Sequence, residues 1–221
     1  KKADGILPAG SEVAYDQIAV NEAELPVFVN RTGLSSMKKE GNLVIFSGIM
    51  DYDGVLANRT SPWKAVFDAS EGAMVSYVLA GKELLSEPLM PCFTRAATEN
   101  DLGAGHEKRM KHWREAEFVV SSFDVHQTDS CYRVSAEFAP IKDFAYIRMT
   151  YNIYADGVVE AVEEFKDAGN LENGKLINRI GMEFAMPGEY STFEFYGLGP
   201  FENYSDRSSS ALVGHYVQRV E

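Results

Sequence analysis

Two stretches of this 221-residue sequence gather residue types that could do chemistry. The first, Phe93-Thr94-Arg95-Ala96-Ala97-Thr98-Glu99-Asn100-Asp101-Leu102-Gly103-Ala104-Gly105, sets Arg95, Asn100 and Asp101 beside Gly103 and Gly105, glycines that release the backbone for a mobile loop. The second, Tyr196-Gly197-Leu198-Gly199-Pro200-Phe201-Glu202-Asn203-Tyr204-Ser205-Asp206-Arg207, combines glycine, aromatics and a carboxylate next to Arg207. Such sets suit sugars, because C–H faces stack on aromatic rings while hydroxyls need paired donors and acceptors. The same residues also suit buried turn networks that close the ends of a β-sandwich. Residue type alone leaves both readings open.

Other chemistry is sparse. The chain carries no phosphate-cradling glycine loop, no Gly-x-Ser-x-Gly elbow, no His-Glu-x-x-His pair and no dinucleotide fingerprint. His106, His112, His126 and His215 stand apart from obvious partners, and 33 acidic residues offer no identifiable glycosidase pair. Cys92 and Cys131 are too few for a disulfide framework or a four-cysteine zinc site. Cys131 opens an alternating segment and reads as a small buried hydrophobe, with a Cys92–Cys131 pair as the alternative.

The elements that must position these residues are strands. From Ala145 to Tyr154, the residues Ala145, Ile147, Met149, Tyr151 and Ile153 fall on one face and Arg148, Thr150 and Asn152 on the other, which predicts a long half-buried strand. Tyr132, Val134, Ala136 and Phe138 alternate in the same way, and Pro140 to Asp143 supplies the turn between the two. Ala155-Asp156-Gly157 turns the chain into a third strand, Val158 to Lys166. Further strands are predicted at Glu12–Val20, Leu43–Ile49, Trp63–Asp68, Ala73–Leu79, Glu117–Val125, Leu176–Met186, Thr192–Tyr196 and Ala211–Val217. Asn30 to Gly41 reads as a connection or an exposed hairpin. One helix is predicted over His106–Ala116, with His106, Met110 and Trp113 at i, i+4 and i+7. Closely spaced strands without regular helices predict an antiparallel sandwich whose core includes Phe193 and Phe195 besides the inward faces above.

Composition fits a globular chain, at 45% hydrophobic and 24% charged residues, and no apolar run approaches the length of a membrane span. The net charge of −12 repels phosphate backbones and anionic lipid, which argues against nucleic-acid and membrane partners. No apolar leader follows the initial Lys-Lys-Ala-Asp-Gly, and the compartment, cytoplasmic or exported, stays open.

Gly-Leu-Gly-Pro-Phe-Glu-Asn-Tyr-Ser-Asp-Arg at 197–207 resembles the Gly-x-Gly-Pro-x-Glu-Asn-Tyr-x-Asp-Arg signature of the C-terminal domain of bacterial β-galactosidases of glycoside hydrolase family two. Phe93 to Gly103 resembles that domain's Phe-x-Arg-Ala-x-x-Asp-Asn-Asp-x-Gly motif, with Glu99 where Asp is usual. Tyr151-Asn152-Ile153 through Asp156-Gly157, and Asn178-Arg179-Ile180-Gly181, follow the family pattern in the same order.

The resemblance implies an all-β antiparallel supersandwich of the galactose-mutarotase type, with at most one or two short helices. Residues 1–26 would close a preceding immunoglobulin-like domain or linker, and 27–221 would form the mutarotase-like domain, truncated at its C-terminus. It also implies an accessory part of an enzyme that hydrolyses terminal β-galactosides with retention. The catalytic glutamates and magnesium ligands lie on a separate (β/α)8 barrel in that family, so neither catalytic residues nor cofactor are expected in this chain. Partners would be the galactoside, reached through the full enzyme, the other domains of the same chain, and further copies in a homo-oligomer. Arg95, Asn100, Asp101, Gly103 and Gly105 are the cleft or loop candidates, with the first three holding the base of a mobile rim segment from Gly103 to Lys111. Gly197, Gly199, Pro200, Glu202, Asn203, Tyr204, Asp206 and Arg207 form the signature turn. A stand-alone carbohydrate-binding module and an aldose-epimerase-like protein are the competing readings; the second needs a positioned histidine acid and carboxylate base in one cleft.

Overall fold

The computed structural model describes residues 6–12, 14–21, 33–51, 60–171, 177–201, 203 and 208–220. The chain divides into two compact units, Phe28–Pro187 and the combination of Lys1–Val27 with Gly188–Glu221. In chain order the elements are β1 (Ser36–Glu40), β2 (Leu43–Asp51), β3 (Thr60–Asp68), β4 (Ala73–Leu79), β5 (Lys82–Glu83), β6 (Glu87–Pro91), α1 (Glu99–Gly103), α2 (His106–Arg109), α3 (Lys111–Arg114), β7 (Val120–Gln127), β8 (Cys131–Ile141), β9 (Ala145–Tyr154), β10 (Val159–Asp167), β11 (Met182–Ala185), β12 (Thr192–Gly199) and β13 (Leu212–Arg219).

The Phe28–Pro187 unit is a sandwich of two antiparallel sheets. One runs β1-β2-β3-β4-β6-β11, with β5 added to β4, and the other runs β10-β9-β8-β7. Alternation in β8 and β9 aligns across the ladder, with Val134 opposite Tyr151, Ala136 opposite Met149 and Phe138 opposite Ile147. All six are buried against Phe46, Trp63, Ala65 and Phe67 of the facing sheet. Rings meet across the gap: Phe67 lies 5.0 Å from Tyr151, and Phe46 lies 5.4 Å from Tyr132, measured between centroids. Burying each of these large side chains contributes roughly 1.5–3 kcal/mol. The polar atoms of two of these rings are satisfied, since Trp63 Nε1 donates to the Ala155 carbonyl at 3.2 Å and the Tyr151 hydroxyl to the Leu89 carbonyl at 3.3 Å.

The turns follow their residues. Phe144 N–H closes on the Ile141 carbonyl at 2.8 Å, with Lys142 and Asp143 at φ 48° and 58° between them, the positive values a tight hairpin turn demands. At Gly157 φ is 89° and an added Cβ would stand 2.8 Å from the Trp63 indole, so this position admits only glycine.

Several expectations need correction. Asn152 is buried, not solvent-facing like Arg148, because it accepts from Arg133 Nε at 2.9 Å and donates to Glu160 at 2.7 Å. Tyr132 and Phe195 are half-buried and Phe193 is 45% exposed. The described part of Glu12–Val20 forms no strand. It meets β13 through side chains instead: Gln17 donates to the Val213 carbonyl at 2.8 Å and accepts from its N–H at 2.7 Å. Leu176–Met186 narrows to β11 within its described part. The single helix of His106–Ala116 is two helical turns preceded by an unforeseen α1, because Met110 at φ −103° interrupts the spiral. Cys92 and Cys131 are buried free thiols, which removes the disulfide alternative.

In the other unit β12 pairs antiparallel with β13. Phe195 lies 5.8 Å from Phe193 and 5.3 Å from Tyr216.

Candidate functional site

The Arg95–Asp101 segment begins on a fixed point. Phe93 is fully buried, 5.7 Å from the Trp113 ring and 5.6 Å from Phe165, so both ends of the excursion between β6 and β7 are pinned in the core. Thr98 then caps α1. Its side chain accepts from Asp101 N–H at 3.3 Å, while the Asp101 carboxylate accepts from Thr98 N–H at 2.8 Å and from its hydroxyl at 3.0 Å. This reciprocal capping box satisfies donors that a helix start otherwise leaves orphaned.

The same carboxylate carries three further contacts. Arg95 donates through Nη1 at 2.7 Å and Nη2 at 3.4 Å, and His106 Nδ1 stands 3.4 Å from Oδ1. Asp101 is buried, and the Thr98 backbone donor first, then the Arg95 guanidinium, hold its carboxyl well below the usual carboxylate range against the opposing effect of desolvation. Arg95 also donates to the Ala96 carbonyl at 2.9 Å. One acid thus ties the chain that follows β6, the cap of α1 and the start of α2 into a single node.

The glycines divide the labour. Gly105 has φ 67° and caps α2, so the reversal between α1 and α2 requires it. Gly103 ends α1, has no positive φ, and an added Cβ there would meet open space. Beyond Gly105, Met110 and Trp113 return to the core, while Glu107, Lys108, Arg109 and Lys111 stay exposed. A depression of about 210 Å³ beside the node is lined by Arg95, Asp101, Glu107, Met110, Arg114 and Asn178.

The structure brings Arg95 and Asp101 into direct contact but leaves the Asn100 side chain exposed; the Asn100 backbone carbonyl accepts from Ala104 N–H at 2.9 Å. Oδ2 of Asp101 accepts from Thr98 and Arg95 at 2.7–3.0 Å while Oδ1 is met at 3.4 Å, by Arg95 Nη2 and His106 Nδ1, an arrangement that suits a positioning role. Among the described residues no group of three or more His, Cys, Asp or Glu side chains could hold a metal ion. Thr98 and His106 were missed as members of the node, although Thr98-x-x-Asp101 is itself a capping-box pattern.

The signature turn belongs to the other unit. Gly199 is buried where an added Cβ would come within 2.8 Å of the Tyr216 ring. The Gly199–Pro200 bond is cis, Gln218 Nε2 donates to the Pro200 carbonyl at 2.8 Å, and Asn203 Nδ2 to the Leu198 carbonyl at 3.2 Å. Gly197 sits one β-step earlier, with more room. Glu202, Tyr204, Asp206 and Arg207 lie outside the described residues. The remaining motifs serve packing: Tyr151 and Ile153 are core, Asp156 accepts from Val158 N–H at 3.1 Å, and the Gly181 carbonyl receives Cys92 N–H.

These features define an antiparallel β-sandwich unit in which the described residues of the 93–105 motif build a capped and ion-paired segment, and a second unit in which the described signature residues build a turn. Residues 59–221 match the family described as "Beta galactosidase small chain", and the chain belongs to that family. It is 27% identical over 214 residues to a β-galactosidase of Clostridium acetobutylicum, covering 94% of this chain and 22% of the relative. It is 30% identical over 217 residues to one of Priestia megaterium, covering 96% and 19%. With "Beta-galactosidase BgaC" of Bifidobacterium adolescentis the identity is 32% over 220 residues, covering 93% and 19%. The chain therefore spans about a fifth of the length of these curated relatives.

Proposed function

We propose that this chain is an accessory domain of a β-galactosidase, shaping the substrate cleft while the reacting carboxylates are carried by the rest of the enzyme. The observation that supports it most is the Asp101 node: an acid engaged by Thr98, Arg95 and His106 holds the base of a charged segment, a positioning role rather than a reacting one. Retaining hydrolysis needs two carboxyl groups roughly 5–5.5 Å apart across the bond, one able to donate a proton. Under this reading magnesium too belongs to the remainder of the enzyme, and the galactoside meets this chain only at the cleft mouth. Motion of the Gly103–Lys111 segment then sets substrate entry rather than bond cleavage.

The test is Gly103→Ala in the full-length enzyme. The new methyl meets open space and no positive φ opposes it, so folding is spared and helix propensity rises by up to about 1 kcal/mol. A stiffened α1 terminus is expected to change KM or kcat for a chromogenic β-galactoside at unchanged or slightly higher Tm. Unchanged kinetics, together with amide exchange in Gly103–Lys111 as slow as in β8 and β9, would make the segment a plain structural turn.

A further inference from the structure

The outer face of the β10-β9-β8-β7 sheet carries a cleft of about 650 Å³ whose lining shares no residue with the Asp101 node. Its floor is a cross-strand row. Glu137 on β8, Arg148 on β9 and Glu164 on β10 are in register, and Arg148 bridges both acids, bonding Glu137 through Nε at 2.9 Å and through Nη2, and Glu164 at 3.4 Å. Two residues along β9, on the same face, Tyr146 is 49% exposed opposite Lys166 of β10. Pro140 belongs to the lining at the hairpin end.

The charges select the ligand. Two acids against Arg148 and Lys166 make the lining neutral in a chain of net charge −12. An anion would have to displace carboxylates from Arg148, and a cation would have to displace Arg148 from its carboxylates. A neutral polyol needs neither exchange, because each carboxylate keeps lone pairs for hydroxyl donors while Arg148 and Lys166 keep N–H groups for hydroxyl acceptors. Tyr146 adds a ring face for sugar C–H groups, and the volume falls in the range of small-molecule sites. We propose that this face is a non-catalytic saccharide-binding cleft, with Tyr146 as platform and the Glu137–Arg148–Glu164 row as hydroxyl reader. That the saccharide is a β-galactoside rests on the function proposed above.

The experiment is a ¹H–¹⁵N NMR titration of this chain with lactose, cellobiose and inorganic phosphate in separate arms. Lactose is expected to give saturable shifts centred on Tyr146, Arg148 and Glu164, weakened roughly tenfold by Tyr146→Ala and retained by Tyr146→Phe, which keeps the ring. Dispersed spectra for both variants establish that they fold. Equal binding of cellobiose supports a saccharide cleft and overturns its galactoside assignment. Phosphate shifts at Arg148, absence of lactose shifts, or lactose binding indifferent to Tyr146→Ala each overturn the cleft. Binding is read without turnover, so failure here leaves the accessory-domain reading standing, and loss of that reading through the Gly103 kinetics leaves the binding result standing.

Discussion

The Arg95 guanidinium and the Asp101 carboxylate, six residues apart, meet at 2.7 Å on an acid that simultaneously caps α1. Because two functions converge on one side chain, its loss is felt both in helix formation and in the path of the preceding backbone. A folded-state acid held below its ordinary range adds stability that is fully present above the unfolded value of about 3.9 and is lost as pH falls through the folded value. Asp101→Asn is therefore expected to flatten this acid limb of the Tm-against-pH curve. Thr98→Ala, which removes the reciprocal cap, is expected to cost about 1 kcal/mol by denaturant unfolding. An unchanged acid limb in Asp101→Asn would show that the node does not hold in solution.

Glu163 carries the opposite sign. It projects from β10 with both carboxylate oxygens buried and no hydrogen-bond partner among the described residues. Burial pushes its pKa up to about 7, with the Arg179 charge pulling the other way. Between about pH 4.5 and 7 the unfolded chain ionises this group while the folded chain keeps its proton, so its contribution falls as pH rises and levels off above that window. Glu163→Gln is expected to remove this downward slope and to gain most relative to the parent near neutrality. Parallel Tm-against-pH curves for the two proteins would show that the carboxyl finds a partner when ionised.

The core makes a sharper distinction than hydrophobicity does. Phe67 is fully buried with its ring 5.0 Å from Tyr151, and Phe193 is 45% exposed on β12. Phe67→Ala is expected to cost about 3–5 kcal/mol through lost transfer energy and a cavity, and Phe193→Ala at most about 1 kcal/mol. Equal losses in urea unfolding would place both residues in one core and contradict the arrangement.

Period-two alternation was sufficient to read β8, β9 and β10, because one face of each is buried and a one-residue slip would expose every large side chain on it. It misplaced Phe193, since alternation reports that a strand has two faces and not whether either is covered. It also missed the burial of Asn152, which depends on Arg133 and Glu160 arriving from neighbouring strands. In the segment that follows β6, Arg95, Asp101 and Gly103 were legible from the family motif and Gly105 from its residue type. The linking of His106 to Asp101 was not, because it needs the reversal at Gly105 to bring the two together. Similarly, the Glu137–Arg148–Glu164 row exists only once three strands are in register.

The most direct measurement of the central claim is turnover of a chromogenic β-galactoside by this chain, purified to homogeneity, beside the full-length enzyme. The account predicts no hydrolysis above buffer by the chain alone and normal hydrolysis by the full-length protein. Turnover by the chain that is abolished by substituting one of its own glutamates, such as Glu163→Gln, would contradict it and move the catalytic centre into this domain.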